Sequence, residues 1–272
     1  MTFRFAPSPN GHLHLGHAYS ALLNRRMAHE ADAPCLLRIE DIDPVRCTPA
    51  LEREMLEDLA WIGFEPDGTP MRQSSRMDAY GAALEELQRA GLVYPAFLSR
   101  AEIRQATAAA ADWPRDPDGA PFYPRETLGP DEIAERLVRG DRHAWRLDMA
   151  LATQAADALD LEAEWGRPED WGDPVLARSD VPTSYHLAVV VDDAAQGVTH
   201  VVRGVDLERA TALHVLLQKL LGLPTPRYTH HRLLLDQDGR KLSKSNRSRT
   251  LRALRADGTG PGEVRRLVGL SL

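Results

Sequence analysis

The sequence predicts an α/β fold: a doubly wound parallel sheet built in two halves, with a subdomain inserted between them. Two observations carry this. Strand-like and helix-like stretches alternate over residues 1–93 and again after 179, the order that produces a parallel sheet flanked by helices. Between them, stretches rich in proline, glycine and aspartate at 112–130 and 161–174 break the pattern, as loops and insertion boundaries do. The expected organisation is a first half of the parallel-sheet domain at 1–93, an inserted α/β subdomain at 94–178, a second half at 179–245 and a short helical tail at 246–272. With 272 residues, 43% of them hydrophobic, the chain can bury a sizeable core.

Taken in order, Phe3-Arg4-Phe5-Ala6 alternates and stops at Pro7, a strand leading into the turn-forming loop Ser8-Pro9-Asn10-Gly11. Leu15, Tyr19, Leu22, Leu23 and Met27 recur at helical spacing, predicting a helix from about Leu15 to Ala31. Pro34 to Ile39 reads as a second strand. Thr48-Pro49 pairs an N-cap with proline at the first helical position and opens a helix to about Ile62. A further helix spans roughly Met77 to Ala90 and stops at Gly91. His143 to Asp148 reads as a strand. The run from Ser184 to Ala195 is read as a buried helix, although its three consecutive valines alone suggest a strand. Val198 to Arg203 is a strand, and Asp206 to Leu221 an amphipathic helix stopped by Gly222.

Composition narrows the function classes. No apolar run approaches the ~18 residues of a membrane span, and the N-terminus lacks the apolar core of a signal peptide. Cys35 and Cys47, the two cysteines, build neither a disulfide framework nor a metal-like spacing. A reduced, cytoplasmic compartment, no membrane partner and a monomer are expected. The net charge of -7 argues against a protein that coats nucleic acid through global charge. A local basic strip survives from Arg240 to Arg255, and charge alone reads it as a solvated tail.

Two features carry chemistry. The first is strand, then Pro7-Ser8-Pro9-Asn10-Gly11-His12-Leu13-His14-Leu15-Gly16-His17, then helix. Ligands of a doubly wound sheet bind at the carboxyl ends of its strands, where a helix N-terminus offers N–H groups to anions. Gly11 and Gly16 allow close approach of backbone to phosphate. His14 and His17, three apart, share a helix face and suit phosphate donation; a surface or metal-binding pair is the competing reading. The second feature is Lys241-Leu242-Ser243-Lys244-Ser245, where two lysines three apart make a cationic clamp suited to a transferring phosphoryl group. Alone, such a run is ordinary in basic tails.

Together, HLGH after RFAPSPNG and KLSKS near the end resemble the paired signature motifs of class I aminoacyl-tRNA synthetases. RFAPSP at 4–9, RIEDID at 38–43 and YHLAVVVDDAAQGVTHVVRGVDL at 185–207 resemble the glutamyl branch, and the resemblance runs from Thr2 to about Ser245. It implies a Rossmann-like class I catalytic domain whose insertion is of the acceptor-binding type, with ATP and Mg²⁺ as cofactors. His14, His17, Lys241 and Lys244 would be catalytic, and His14, Gly16, His17 and Lys244 would bind ATP. Arg4, Phe5, Ala6, Pro7, Ser8, Glu40, Tyr185 and Arg203 would form the L-glutamate set. Arginine guanidiniums pair bidentately with carboxylates, Glu40 is placed to accept from the substrate ammonium, and the Tyr185 phenol is a donor to a carboxylate.

Only 27 residues follow Ser245, too few for a helical anticodon-binding domain. In this the chain resembles the short glutamyl-Q tRNA(Asp) synthetase family, whose acceptor is the queuosine base in the anticodon of tRNA(Asp). A truncated glutamyl-tRNA synthetase that charges a 3′ end, and a non-catalytic RNA-binding paralogue, are the alternatives. Many members of the short family hold a structural zinc on three cysteines and a tyrosine. Here Ala96 and Leu98 stand where cysteines would, Tyr123 matches the tyrosine, and Thr127 falls at the last cysteine. Zinc needs about four suitable ligands, so none is expected, and the insertion is expected to hold by apolar packing of Phe97, Leu98, Trp113 and Phe122.

Overall fold

Side chains of a strand point alternately to its two faces, and the strands nearest the N-terminus use this to separate two environments. Phe3 and Phe5, Leu37 and Ile39, and Val202 fall on one face and enter a common apolar core. Arg4, Arg38 and Arg203 fall on the other. The computed structural model describes residues 1–125, 128–157, 165–235 and 249–270. In chain order they form β1 (Phe3–Phe5), α1 (Leu15–Glu30), β2 (Cys35–Ile39), α2 (Pro49–Trp61), β3 (Met71–Arg72), α3 (Met77–Arg89), β4 (Val93–Ala96), α4 (Arg100–Thr107), α5 (Pro130–Arg139), β5 (Ala144–Leu147), α6 (Met149–Asp157), β6 (Val175–Arg178), α7 (Tyr185–Ala195), β7 (His200–Gly204), α8 (Ala210–Leu220), β8 (Arg227–His231), α9 (Leu251–Ala256) and α10 (Pro261–Leu267).

These elements group into two units. The first takes in Met1–Arg76, Ala195–Glu208 and Pro226–Leu272. Its five-stranded sheet has the order β3-β2-β1-β7-β8, and every pairing is parallel. Helices α1, α2, α9 and α10 contribute Leu22, Leu59, Leu254 and Val264 to the core on its apolar face. Asn24, fully buried within α1, donates through Nδ2 to the Val202 carbonyl at 3.0 Å and locks helix to sheet. The Thr48 hydroxyl caps α2 by accepting from the Leu51 N–H at 3.3 Å, with Pro49 at the first turn, as its sequence predicts. This is the doubly wound α/β architecture.

The second unit takes in Met77–Ala194 and Arg209–Thr225. Its sheet, ordered β4-β5-β6, is antiparallel, and its core gathers Leu84, Leu147, Leu176, Leu187, Leu213 and Leu216. The triple-valine segment is helical, as α7. Its Leu187, Ala188, Val189 and Val190 are all buried, which explains why the amphipathic signal of a surface helix is missing there. The helix expected from Asp206 begins later. Val205–Leu207 forms a separate 3₁₀ turn, and Arg203 Nη2 donates to the Leu207 carbonyl at 3.2 Å instead of leaving it to a helix.

The packing expected of Phe97, Leu98, Trp113 and Phe122 needs correction. The buried cluster is Ala96, Ile103 and Tyr123, with Tyr94 and Leu98 against it. Trp113 Nε1 donates to the Phe122 carbonyl at 3.0 Å, and Phe97 lies under the Arg136 guanidinium. Ala96, Leu98 and Tyr123 do converge, but the first two offer no ligand atom, so the residues present do not fit a zinc ion; Thr127 lies outside the described residues. What sequence reading missed is a charged node beside this cluster. Asp173 accepts from the Tyr94 hydroxyl at 2.7 Å, from Arg125 Nε at 2.7 Å and Nη2 at 3.0 Å, and from the Met149 N–H at 3.0 Å. Arg125 Nη1 reaches Asp148 at 2.8 Å. Among the described residues no helix is long and apolar enough to cross a membrane.

Candidate active site

Parallel strands bring their carboxyl ends to one edge, and loop residues there inherit fixed positions from the strand register. Phe3 pairs with His200 and, on the other side, with Cys35. Carried forward, that register sets Ala6 level with Arg38 and Arg203. Arg4, Arg38 and Arg203 therefore point to the same face, away from the apolar core. Their exposures are 4%, 0% and 5%, a concentration of buried positive charge that a fold maintains only with compensating groups. Arg38 Nη2 donates to Glu40 Oε1 at 3.3 Å and Nη1 to Gln196 Oε1 at 3.2 Å. Arg203 lies over the Tyr228 ring at 5.1 Å.

Glu40 follows β2 directly, and its N–H donates to the Pro7 carbonyl at 3.0 Å, extending the β1–β2 ladder by one step. The loop after β1 is thereby pinned: Pro7 is buried, and Ser8 Oγ lies 3.6 Å from Cys47 Sγ. The Phe5 ring packs edge-on to Phe64 in the core, centroids 5.5 Å apart. The Phe5 side chain thus belongs to the core, while Arg4 is directed to the opposite face of the sheet. Arg38 was not among the residues singled out from sequence. Its signal was present: a lone arginine inside the apolar strand Cys35–Ile39.

The histidine pair occupies the N-terminus of α1. His14 is the N-cap, extended at φ -131, and its Nδ1 accepts from the Gly16 N–H at 3.1 Å. His17 Nδ1 in turn accepts from the His14 N–H at 3.2 Å, closing a capping box built from two imidazoles. The rings stand 4.0 Å apart. A neutral imidazole carries one proton. With Nδ1 acting as acceptor in both rings, that proton sits on Nε2 in both. The arrangement satisfies helix-end donors and sets two N–H groups at the positive end of a helix dipole, as an anion site requires. Gly16 has a steric role as well: a Cβ there would come within 2.9 Å of His14 Cε1.

The chain returns to this loop near its end. The Leu251 N–H donates to the Leu13 carbonyl at 2.8 Å, and Thr250 forms an antiparallel bridge with His14. Lys241 and Lys244 lie outside the described residues. Three arginines of the expected solvated strip are engaged: Arg249 pairs with Asp257, Arg252 with Glu54 at 2.9 Å, and Arg255 lies 5.9 Å over the Trp61 ring. Tyr185 stands in the second unit as the first residue of α7, its ring 5.4 Å from His186 and 5.7 Å from His214. No group of three or more His, Cys, Asp or Glu able to hold a metal occurs among the described residues.

Comparison with known proteins identifies the family. A family model described as tRNA synthetases class I (E and Q), catalytic domain, matches residues 1–270. A glutamyl-Q tRNA(Asp) synthetase of Rhodobacter capsulatus is 47% identical over 99% of this chain and 100% of its own length. Another from Leptothrix cholodnii is 45% identical over 90% of this chain and 82% of its own. Among solved structures, a glutamate tRNA ligase from Elizabethkingia meningosepticum in complex with its amino acid superposes with a TM-score of 0.72 at 29% identity. That match covers 90% of this chain and 52% of the ligase, so the chain spans about half the solved enzyme.

Proposed function

The chain belongs to the class I tRNA synthetases of the E and Q type, and from that premise we propose that it activates L-glutamate with ATP and transfers the glutamyl group to the queuosine base of tRNA(Asp). ATP use follows from the family. The observation that carries the amino-acid assignment is the sheet face holding three buried guanidiniums and one carboxylate. Arg38 is committed to Glu40. Arg4 and Arg203, the latter keeping its bond to the Leu207 carbonyl, match in number and sign the two carboxylates of glutamate, and Glu40 matches its ammonium. Glutamine brings an amide where a guanidinium expects a carboxylate, so buried donors would be left badly paired, the condition under which a site discriminates strongly. The family resemblance further assigns Phe5, Ala6, Pro7 and Ser8 to glutamate binding, and Tyr185 as a phenolic donor to a carboxylate.

In the first step the glutamate α-carboxylate oxygen bonds to the α-phosphorus of ATP while the bond to the pyrophosphate oxygen breaks. Pyrophosphate leaves with the electron pair. His14 and His17 donate through Nε2 to phosphate oxygens on which charge builds, and the Gly16 backbone lies beside them. Lys241 and Lys244 are assigned to the same developing charge. Supporting this, Thr250 is bridged to His14 six residues after Lys244, a tether of about 20 Å at full extension. Magnesium enters as part of the Mg–ATP substrate, held by phosphate oxygens and water, its usual habit. In the second step a queuosine hydroxyl attacks the adenylate carbonyl, forming an ester and releasing AMP.

The acceptor assignment draws on the relatives' names, and one experiment tests it. Radiolabelled glutamate, ATP and the protein are incubated with tRNA(Asp) carrying queuosine, tRNA(Asp) lacking it, and tRNA(Glu). Label is expected on the queuosine-bearing tRNA alone and, after nuclease cleavage, in its anticodon fragment. Label at the 3′ end of tRNA(Glu) would replace this reading with that of a 3′-charging ligase.

A further inference from the structure

The loop that presents His14 is gripped by a residue outside the proposed substrate contacts. Glu54, in the middle of α2, has its Oε2 3.1 Å from His12 Nδ1 and its Oε1 2.9 Å from Arg252 Nη1. His12 lies two residues before His14; Arg252 lies two residues after Thr250, the residue bridged to His14. One carboxylate thus spans both strands of backbone that meet at the histidine pair. Leu13 and Leu251, joined by the 2.8 Å hydrogen bond, are each fully buried beneath it. Asp58, four residues further along the same helix face, is buried among His12, Glu54, Arg252 and Arg255. The acidic face of α2 is therefore the seat for both the loop at 12–14 and the start of α9.

We propose that Glu54 is a positioning residue for the nucleotide site: its carboxylate fixes the loop at 12–14, and with it the aim of the His14 and His17 Nε2–H donors. This rests on the reading of that pair as phosphate donors. The physical argument is one of precision. The cap hydrogen bonds and the Thr250 bridge tie His14 to the two segments that Glu54 holds, and sub-ångström misplacement of a donor costs heavily at a phosphoryl transition state. Glu54 is not among the residues assigned to nucleotide or amino acid, so its loss should weaken ATP use while leaving glutamate recognition alone.

Glutamate-dependent exchange of pyrophosphate into ATP is measured for the wild type, Glu54→Gln, Glu54→Ala, Arg252→Ala and the double variant. Alongside it, hydrogen exchange of the Leu251 amide reports on the loop whether or not the protein is active. Glu54→Ala is expected to raise the KM for ATP about ten-fold, the size of a close charge-pair coupling, with the KM for glutamate unchanged. Leu251 exchange should quicken by a similar factor. Glu54→Gln, which still accepts hydrogen bonds, should fall between, and the double variant should be no worse than Glu54→Ala alone. Parallel rises in both KM values, or unchanged Leu251 exchange in Glu54→Ala, would overturn the proposal. A wild type without exchange activity would overturn the functional reading instead, and Leu251 exchange in the variants would still decide whether Glu54 holds the loop.

Discussion

Gly16 separates two effects that most substitutions confound. Alanine is the better helix residue by about 0.5–1 kcal/mol, yet its Cβ would press on His14 Cε1 at 2.9 Å and turn the ring. Gly16→Ala should therefore leave the melting temperature little changed or slightly lowered, the propensity gain offset by strain on the His14 cap, while lowering the pyrophosphate-exchange rate about 10²-fold, the usual loss for a displaced transition-state donor. Asp58 gives a second test. Burial, opposed by Arg252, raises its carboxyl from 3.8 to about 6, so the native state favours the protonated acid. That preference stabilises fully below the unfolded value near 3.8 and is lost as pH rises through 6. Asp58→Asn should accordingly stabilise the protein at pH 7.5 by on the order of 2 kcal/mol, with the advantage vanishing toward pH 4; urea denaturation at both pH values reads it out. His14, His17, Arg4, Glu40 and Arg203 were legible as candidates because their motif context is local. Arg38 carried a partial signal, a lone arginine in an apolar strand, but its partner Gln196, like Arg252 for Glu54, lies at a distance in sequence that periodicity does not reach.

Among elements, those with strong local punctuation were read correctly: α1 from its apolar spacing, α2 from Thr48-Pro49, and α3 from Gly91. The strand β8, with charged and polar residues at Arg227, His230 and His231, carries no apolar alternation and was missed; it pairs with β7 over five residues. In the second unit, α5 was missed although Pro130 opens it and Gly140, left-handed at φ 78, closes it. The Asp173 node was invisible for another reason, since its arms come from β4, the 125 region, β5 and α6. Removing it should be costly. Asp173→Ala strands Arg125 and the Tyr94 hydroxyl and should destabilise the protein by roughly 2 kcal/mol, measured by urea denaturation; a loss under about 0.5 kcal/mol would mean the node is ornamental. The Arg125 hydrogen bond holds the Asp148 carboxyl below its ordinary range. That contribution is present above about pH 4 and lost as acid protonates the group.

For the whole molecule, a net charge of -7 coexists with a proposed substrate set that is itself anionic. The chain resolves this by concentration rather than by excess. Surface arginines are largely spent on neighbouring acids, as in the Arg139–Asp141 and Arg178–Asp180 pairs. Arg4, Arg38 and Arg203 are instead gathered, buried, on one face of one sheet. In the proposed reading this face sets amino-acid selectivity by the count and sign of its charges, and adenylation is the step at which that selectivity would be expressed. The central claim is therefore tested most directly by pyrophosphate exchange into ATP with glutamate, glutamine or aspartate as the amino acid. The account predicts exchange with glutamate alone, lowered about 10²–10³-fold in Lys244→Ala at unchanged melting temperature. Equal exchange with glutamine, or none with glutamate from folded protein supplied with Mg–ATP, would contradict it.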